Sequence, residues 1–90
     1  MEDQQLNLEQ IKSLPAAEAV EKLSELISQN PDFEEAYIQR GLKYWSMGQR
    51  REAINDYLAA LKINPDSKAK MALDYANSIL DYYNKDLLNP

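Results

Sequence analysis

The sequence predicts an all-α protein of about five helices arranged as antiparallel pairs, and three observations carry that expectation. First, Asn30-Pro31-Asp32 returns as Asn64-Pro65-Asp66 after 34 residues, an interval at which helix-turn-helix units repeat in stacked arrays. The same interval pairs Glu18 with Glu52, Ala19 with Ala53, Val20 with Ile54, Leu23 with Tyr57 and Ile27 with Leu61, so several residues hold the period. Second, apolar residues recur at three- and four-residue spacing between the breaks, the signature of one buried helix face. Third, the chain is 44% hydrophobic with only two glycines, which suits a compact helical protein and argues against disorder or a turn-rich β fold.

The elements follow in order. A first segment near Asp3 to Ser13 sets Leu6, Leu8 and Ile11 among polar residues. Ser13 and Pro15 then mark a break and a restart, because Ser favours a cap and Pro is tolerated in a helix's first turn. The second helix runs to about Gln29 on Ala19, Val20, Leu23, Leu26 and Ile27, and Asn30-Pro31 stops it. Asp32 opens the third with Glu35 three residues on, a variant of the capping box whose acids also suit the positive end of the helix dipole. That helix is expected to reach about Met47, with Gly48 as the turn between antiparallel neighbours, since a residue without Cβ admits the required conformation. The fourth runs from about Arg50 to Ile63 and buries Ala53, Ile54, Tyr57, Ala60 and Leu61. Asn64-Pro65 ends it, and Asp66 or Ser67 caps a fifth helix reaching about Asn84. The fifth carries Met71, Leu73, Tyr75, Ala76, Ile79, Leu80, Tyr82 and Tyr83 on more than one face. Such a helix is packed on two sides, or packed on one and open to a partner on the other.

Ninety residues support a single domain, residues 1–90, with room for one core. Without Cys there is no disulfide or thiolate chemistry, and without His the commonest general base and transition-metal ligand are both missing. No Gly-rich phosphate loop, metal-ligand spacing or nucleophile beside a base occurs, so no catalytic, cofactor-binding or metal residue is expected and the chain is not read as an enzyme. The amino terminus lacks a basic n-region and an apolar h-region, which makes a cytoplasmic location the expectation. Charges interrupt every apolar run before the ~20 residues that span a bilayer, so no membrane partner is expected.

The net charge of −5 is unevenly spread: −7 over residues 1 to 35, +4 over 36 to 70 and −2 over 71 to 90. Either this is ordinary solvated helix surface, or an acidic first half faces a basic middle within one molecule or between two. The overall acidity does not suit nucleic acid.

From Glu34 to Ser67 the residues stand in a known pattern. Tyr37, Gly41 and Tyr44 on the third helix, Gly48 at the turn, and Ala53, Tyr57, Ala60 and Pro65 on and after the fourth resemble one complete unit of the tetratricopeptide repeat family. Gly41 and Ala53 are small where the two helices cross closely, Tyr37, Tyr44 and Tyr57 fill the space beside the crossing, and Pro65 ends the helix. Arg40 departs from the pattern, standing where the family usually places Leu. Asp74, at the equivalent place one period on, is its expected salt-bridge partner.

Residues 1–33 resemble a degenerate first repeat, matching the second helix through Ala19, Val20, Leu23, Ile27 and Pro31 while Asn7 and Gln10 stand where Gly and an aromatic belong. Residues 34–67 are the clear unit, and residues 68–90 resemble a following first helix that acts as a cap. The whole is similar to small stand-alone bacterial members of the family. The resemblance implies helix pairs stacked in a short right-handed superhelix, and a protein-binding scaffold with a concave face.

By that resemblance the concave face of the clear unit is Glu35, Ile38, Gln39, Leu42, Trp45 and Ser46, the expected partner-binding groove. Members that hold a terminal carboxylate use Lys, Asn and Arg there, and Ile38, Leu42 and Gln39 at those places argue against such a clamp. Trp45, the only Trp, has three open roles: closing the core, anchoring a partner, or lying under Ala72, Ala76 and Ile79. Tyr82, Tyr83, Leu87 and Leu88 either pack on the chain or form an exposed patch. Arg50 and Arg51 open a helix where the dipole disfavours cations, as solvated charge or as a basic spot. The expected partner is a helix or peptide of another protein, with a homo-oligomer through the repeat ends as the alternative.

Overall fold

The computed structural model describes residues 7–88, with side chains as far as Leu80. The described chain forms α1 (Leu8–Lys12), α2 (Ala16–Gln29), α3 (Glu34–Ser46), α4 (Arg50–Ile63) and α5 (Ala69–Leu88), with no strand among the described residues. It is the all-α arrangement of antiparallel pairs that the period implies.

The helix ends differ from expectation in instructive ways. The first helix starts after Asn7, and its expected stretch from Asp3 to Leu6 lies outside the described residues; the Asn7 side chain accepts the Gln10 N–H at 2.9 Å while the Gln10 side chain accepts the Asn7 N–H at 2.9 Å. This reciprocal capping box satisfies two donors that the first turn would otherwise leave bare. Ser13 closes α1 rather than opening α2, its Oγ donating to the Gln10 carbonyl at 2.9 Å. Pro15 occupies the cap position of α2 without a side-chain bond.

Asp32 does not cap α3. Phe33 takes that position with no side-chain cap bond, because the turn closes through its own N–H on the Asn30 carbonyl at 3.0 Å and leaves Asp32 exposed in the loop. Phe33 packs instead against the buried cluster of Ile11, Ala19, Leu23 and Ala36. At the corresponding turn one period on, Ser67 supplies the cap, its Oγ accepting the Ala69 N–H at 3.1 Å, while the Asn64 side chain accepts the Asp66 N–H at 3.0 Å. The fifth helix continues to Leu88, past the expected end at Asn84.

Gly48 has φ of +80°. Its N–H reaches the Trp45 carbonyl at 3.0 Å and the Gln49 N–H reaches that of Tyr44 at 2.9 Å, the pair of bonds that ends a helix through a left-handed residue.

Two hydrophobic clusters lie on either side of α3. Ala36 joins Ile11, Ala19 and Leu23 beneath Leu8, Leu14, Leu26, Ile27 and Phe33. Ile38 joins Ala53, Tyr57, Ala60, Ala69 and Ala76, flanked by Tyr37, Tyr44, Trp45, Ile54, Leu61, Ala72 and Leu73. The α3–α4 crossing is tight at Gly41: a Cβ there would lie 2.6 Å from Tyr57 Cε1 and 3.3 Å from the Ala53 carbonyl oxygen. The absent side chain lets the helices approach, and Tyr57 occupies the space released. Tyr82, Tyr83, Leu87 and Leu88, together with Leu6, fall outside the described side chains.

Candidate interaction surface

Arg40 is the polar centre of the hairpin, and its expected partner was wrong. Its Nε and Nη2 donate to Asp56 Oδ2 and Oδ1 at 2.8 and 2.7 Å, and its Nη1 donates to Ser24 Oγ at 3.0 Å. Asp74 pairs instead with Lys70 at 3.5 Å. The two-pronged bond favours Asp56 because α4 packs face to face with α3, and Asp56 is 4% exposed on that face beside Tyr57. The guanidinium lies 5.8 and 5.7 Å from the ring centres of Tyr37 and Tyr44, adding two cation–π contacts. The bond from Asp56 raises the Arg40 pKa against the opposing effect of burial, so this arginine stays charged. Thus α2, α3 and α4 meet at one largely buried cation that makes three hydrogen bonds to its own chain.

The expected groove residues do not form one open face. Ile38 (4% exposed) is part of the core and Gln39 (8%) is buried, with Gln39 Nε2 donating to Glu35 Oε2 at 2.7 Å. The other Glu35 oxygen meets Lys68 Nζ at 3.3 Å. Glu35, Ile38 and Gln39 are therefore occupied by their own chain: Ile38 by the cluster it shares with Ala69 and Ala76 of α5, Glu35 by Lys68, and Gln39 by Glu35. Tyr37 is half-buried and donates its hydroxyl to the Pro31 carbonyl at 2.9 Å.

Leu42, Trp45 and Ser46 remain. Leu42 is 44% exposed, and Ser46 is exposed with its Oγ donating to the Lys43 carbonyl at 2.7 Å. Trp45 is half-buried. It packs in the same cluster as Ala72 and Ala76 of α5, and its ring meets that of Tyr75 edge to face at 6.2 Å, a favoured aromatic geometry. Arg50 lies over the Trp45 ring at 4.7 Å.

Sequence reasoning assigned neither Tyr75 nor Arg50 to this surface. For Tyr75 a signal existed: it stands one period after Gly41, so a bulky ring replaces the residue that admits a crossing helix. Tyr75 is 60% exposed and Met71, one turn before it, 77%. Leu42 and Trp45 on α3 and Tyr75 and Met71 on α5 are thus candidate members of one apolar strip, joined by the Trp45–Tyr75 contact, with Glu35–Lys68 tying the start of α3 to the residue before α5. A separate open cleft of about 580 Å³ lies by the Asn-Pro-Asp turn, lined by Pro31, Asp32, Tyr37, Ala59, Lys62 and Ile63.

Among the described residues no three Asp or Glu side chains gather as a metal site, and no helix is long and apolar enough to cross a membrane. Antiparallel helix pairs on a 34-residue period, tightened at a glycine crossing, define a helical-repeat scaffold. The sequence model of the tetratricopeptide repeat family matches residues 34–67, the span of α3, α4 and the turn that follows, so that stretch forms one tetratricopeptide repeat. No curated protein and no solved structure matches it. Repeats of this family generally mediate protein–protein interactions.

Proposed function

We propose that the protein is a non-catalytic interaction module that binds a helix or peptide of another protein along the strip formed by α3 and α5. The observation that supports this most is the Trp45–Tyr75 contact that joins α3 to α5, with Leu42 and Met71 exposed on the same two helices, since apolar side chains left open beside polar ones are what partner sites present. Glu35, Gln39 and Ser46 form the polar rim in this reading and Ile38 its buried floor. A cytoplasmic setting belongs to the same proposal, and cell fractionation tests it.

The test is affinity capture from the native cell extract with the wild-type chain and with Leu42→Asp. A protein retained by the first and lost by the second, while both give the same helical circular dichroism, is the expected result. Equal retention by the two sinks the assignment of this face.

The second reading is self-association through the repeat ends, and the exposure of Met71 and Tyr75 on the last helix favours it. Light scattering across a concentration series separates the two: a monomer supports the first and a tight dimer the second.

A further inference from the structure

We infer that the partner of this strip is an amphipathic helix carrying a carboxylate about one turn from its apolar anchors, and that Arg50 is the group that reads it. The inference rests on the interaction-module reading and names the chemistry of the partner.

The charges around the strip are not equivalent. Lys68, just before α5, is matched by Glu35 at 3.3 Å and Lys70 by Asp74 at 3.5 Å, so these two cations are already neutralised within the chain. Arg50 is exposed, rests on the Trp45 ring at 4.7 Å and has no ion pair among the described residues. It opens α4, where the helix dipole disfavours a cation, and among the described residues the Trp45 ring is the one contact that holds it. A guanidinium lying over an indole offers its N–H edge outward, in a fork that fits a carboxylate with two parallel bonds.

The apolar side chains set the remaining geometry. Leu42 and Trp45 are three residues apart on α3, and Met71 and Tyr75 are four apart on α5, so each pair projects from one helix face. A partner helix laid along this seam presents apolar residues at the same three- and four-residue spacing. Its carboxylate reaches Arg50 at the Trp45 end, while at the other end Lys68 is held by Glu35 and offers no comparable site. Polarity of the bound helix follows: the acid lies toward Trp45, the apolar residues toward Met71.

The single Trp makes the site its own reporter. Two synthetic amphipathic helical peptides with the same Leu and Phe stripe, one with Glu and one with Gln a turn from it, are titrated into the full chain while Trp45 fluorescence is followed. The Glu peptide is expected to bind about tenfold tighter than the Gln peptide at low salt, a preference that shrinks in high salt and disappears in Arg50→Gln. Equal affinity for the two peptides overturns this inference and leaves the interaction-module reading standing. If neither peptide perturbs Trp45 while Leu42→Asp still loses its captured protein, the helix-and-carboxylate assignment fails alone; if that capture difference is also missing, both fail. A Trp45 signal that moves with protein concentration alone, together with a dimer in light scattering, assigns the strip to a second copy and likewise overturns it.

Discussion

Asn7, Gly41 and Tyr75 occupy the same place in the repeat, one period apart, and do three different things. In the α3–α4 hairpin, Gly41 admits Tyr57 and lets the helices cross closely. In the unit before it, Asn7 starts α1 with a side-chain cap, leaving a helix of five residues against the thirteen of α3. In the element after it, Tyr75 is 60% exposed and braces Trp45. The second-type helices are far more alike: Ala19, Leu23 and Ala53 are fully buried, and Tyr57 nearly so. The lesson is that a repeat position has a fixed role only when a facing helix makes the same demand of it. Ala19 and Ala53 each meet a neighbour that demands a small residue, whereas Asn7 and Tyr75 have no Tyr57 to accommodate.

The sharpest way to break this comparison is Gly41→Leu set beside Tyr75→Leu. The first drives a side chain into the Tyr57 ring and the Ala53 carbonyl and should meet or exceed the about 1–3 kcal/mol that overpacking costs, enough to abolish a cooperative thermal melt in a small domain. The second alters an exposed position and should stay within about 0.5 kcal/mol. Comparable melts for both would mean that Gly41 is not at a crossing. Ala53→Leu is expected to follow Gly41→Leu.

Next in size is Arg40→Leu, which installs the residue the family usually carries here. It leaves Asp56, 4% exposed, without its cation, and breaking a buried pair costs about 3 kcal/mol or more. Asp56→Ala added to it should recover more than half of that loss, as read from urea midpoints. If the double variant is no more stable than the single one, the network is not what makes Arg40 necessary.

A smaller effect is expected at the first unit. Asn7→Ala removes the capping box and should cost about 1 kcal/mol, with faster amide exchange confined to α1. Loss of protection throughout α3 as well would show that the short first unit supports the hairpin more than its packing implies.

The smallest concerns pH. Burial, reinforced by the neighbouring negative charge of Asp56, raises the Tyr57 phenol pKa above its ordinary value. The folded state therefore favours the neutral ring: this contribution is complete below about pH 10, the ordinary phenol value, and is lost as pH climbs through the raised one. Tyr57→Phe should match wild type at neutral pH and fall less steeply in alkaline urea melts; superimposable alkaline profiles would contradict the shift.

By itself the sequence determined the repeat and its punctuation. The recurrence of Asn-Pro-Asp, the prolines that cannot continue a helix and the φ of +80° at Gly48 are local constraints, felt by a few neighbouring residues whatever the rest of the chain does. The crossing at Gly41 was legible for a related reason, since a residue without a side chain amid large ones marks close approach. Partner choice and exposure were not legible. Periodicity offered Asp74 to Arg40, but only the face-to-face packing of α3 and α4 brings Asp56 within 2.7 Å. The family resemblance grouped Ile38, Gln39, Leu42 and Trp45 on one face, and only tertiary packing buried the first two while leaving Leu42 open. Spacing along a helix fixes the direction in which a side chain points, but what it meets depends on a second helix whose position is set by packing over the whole core.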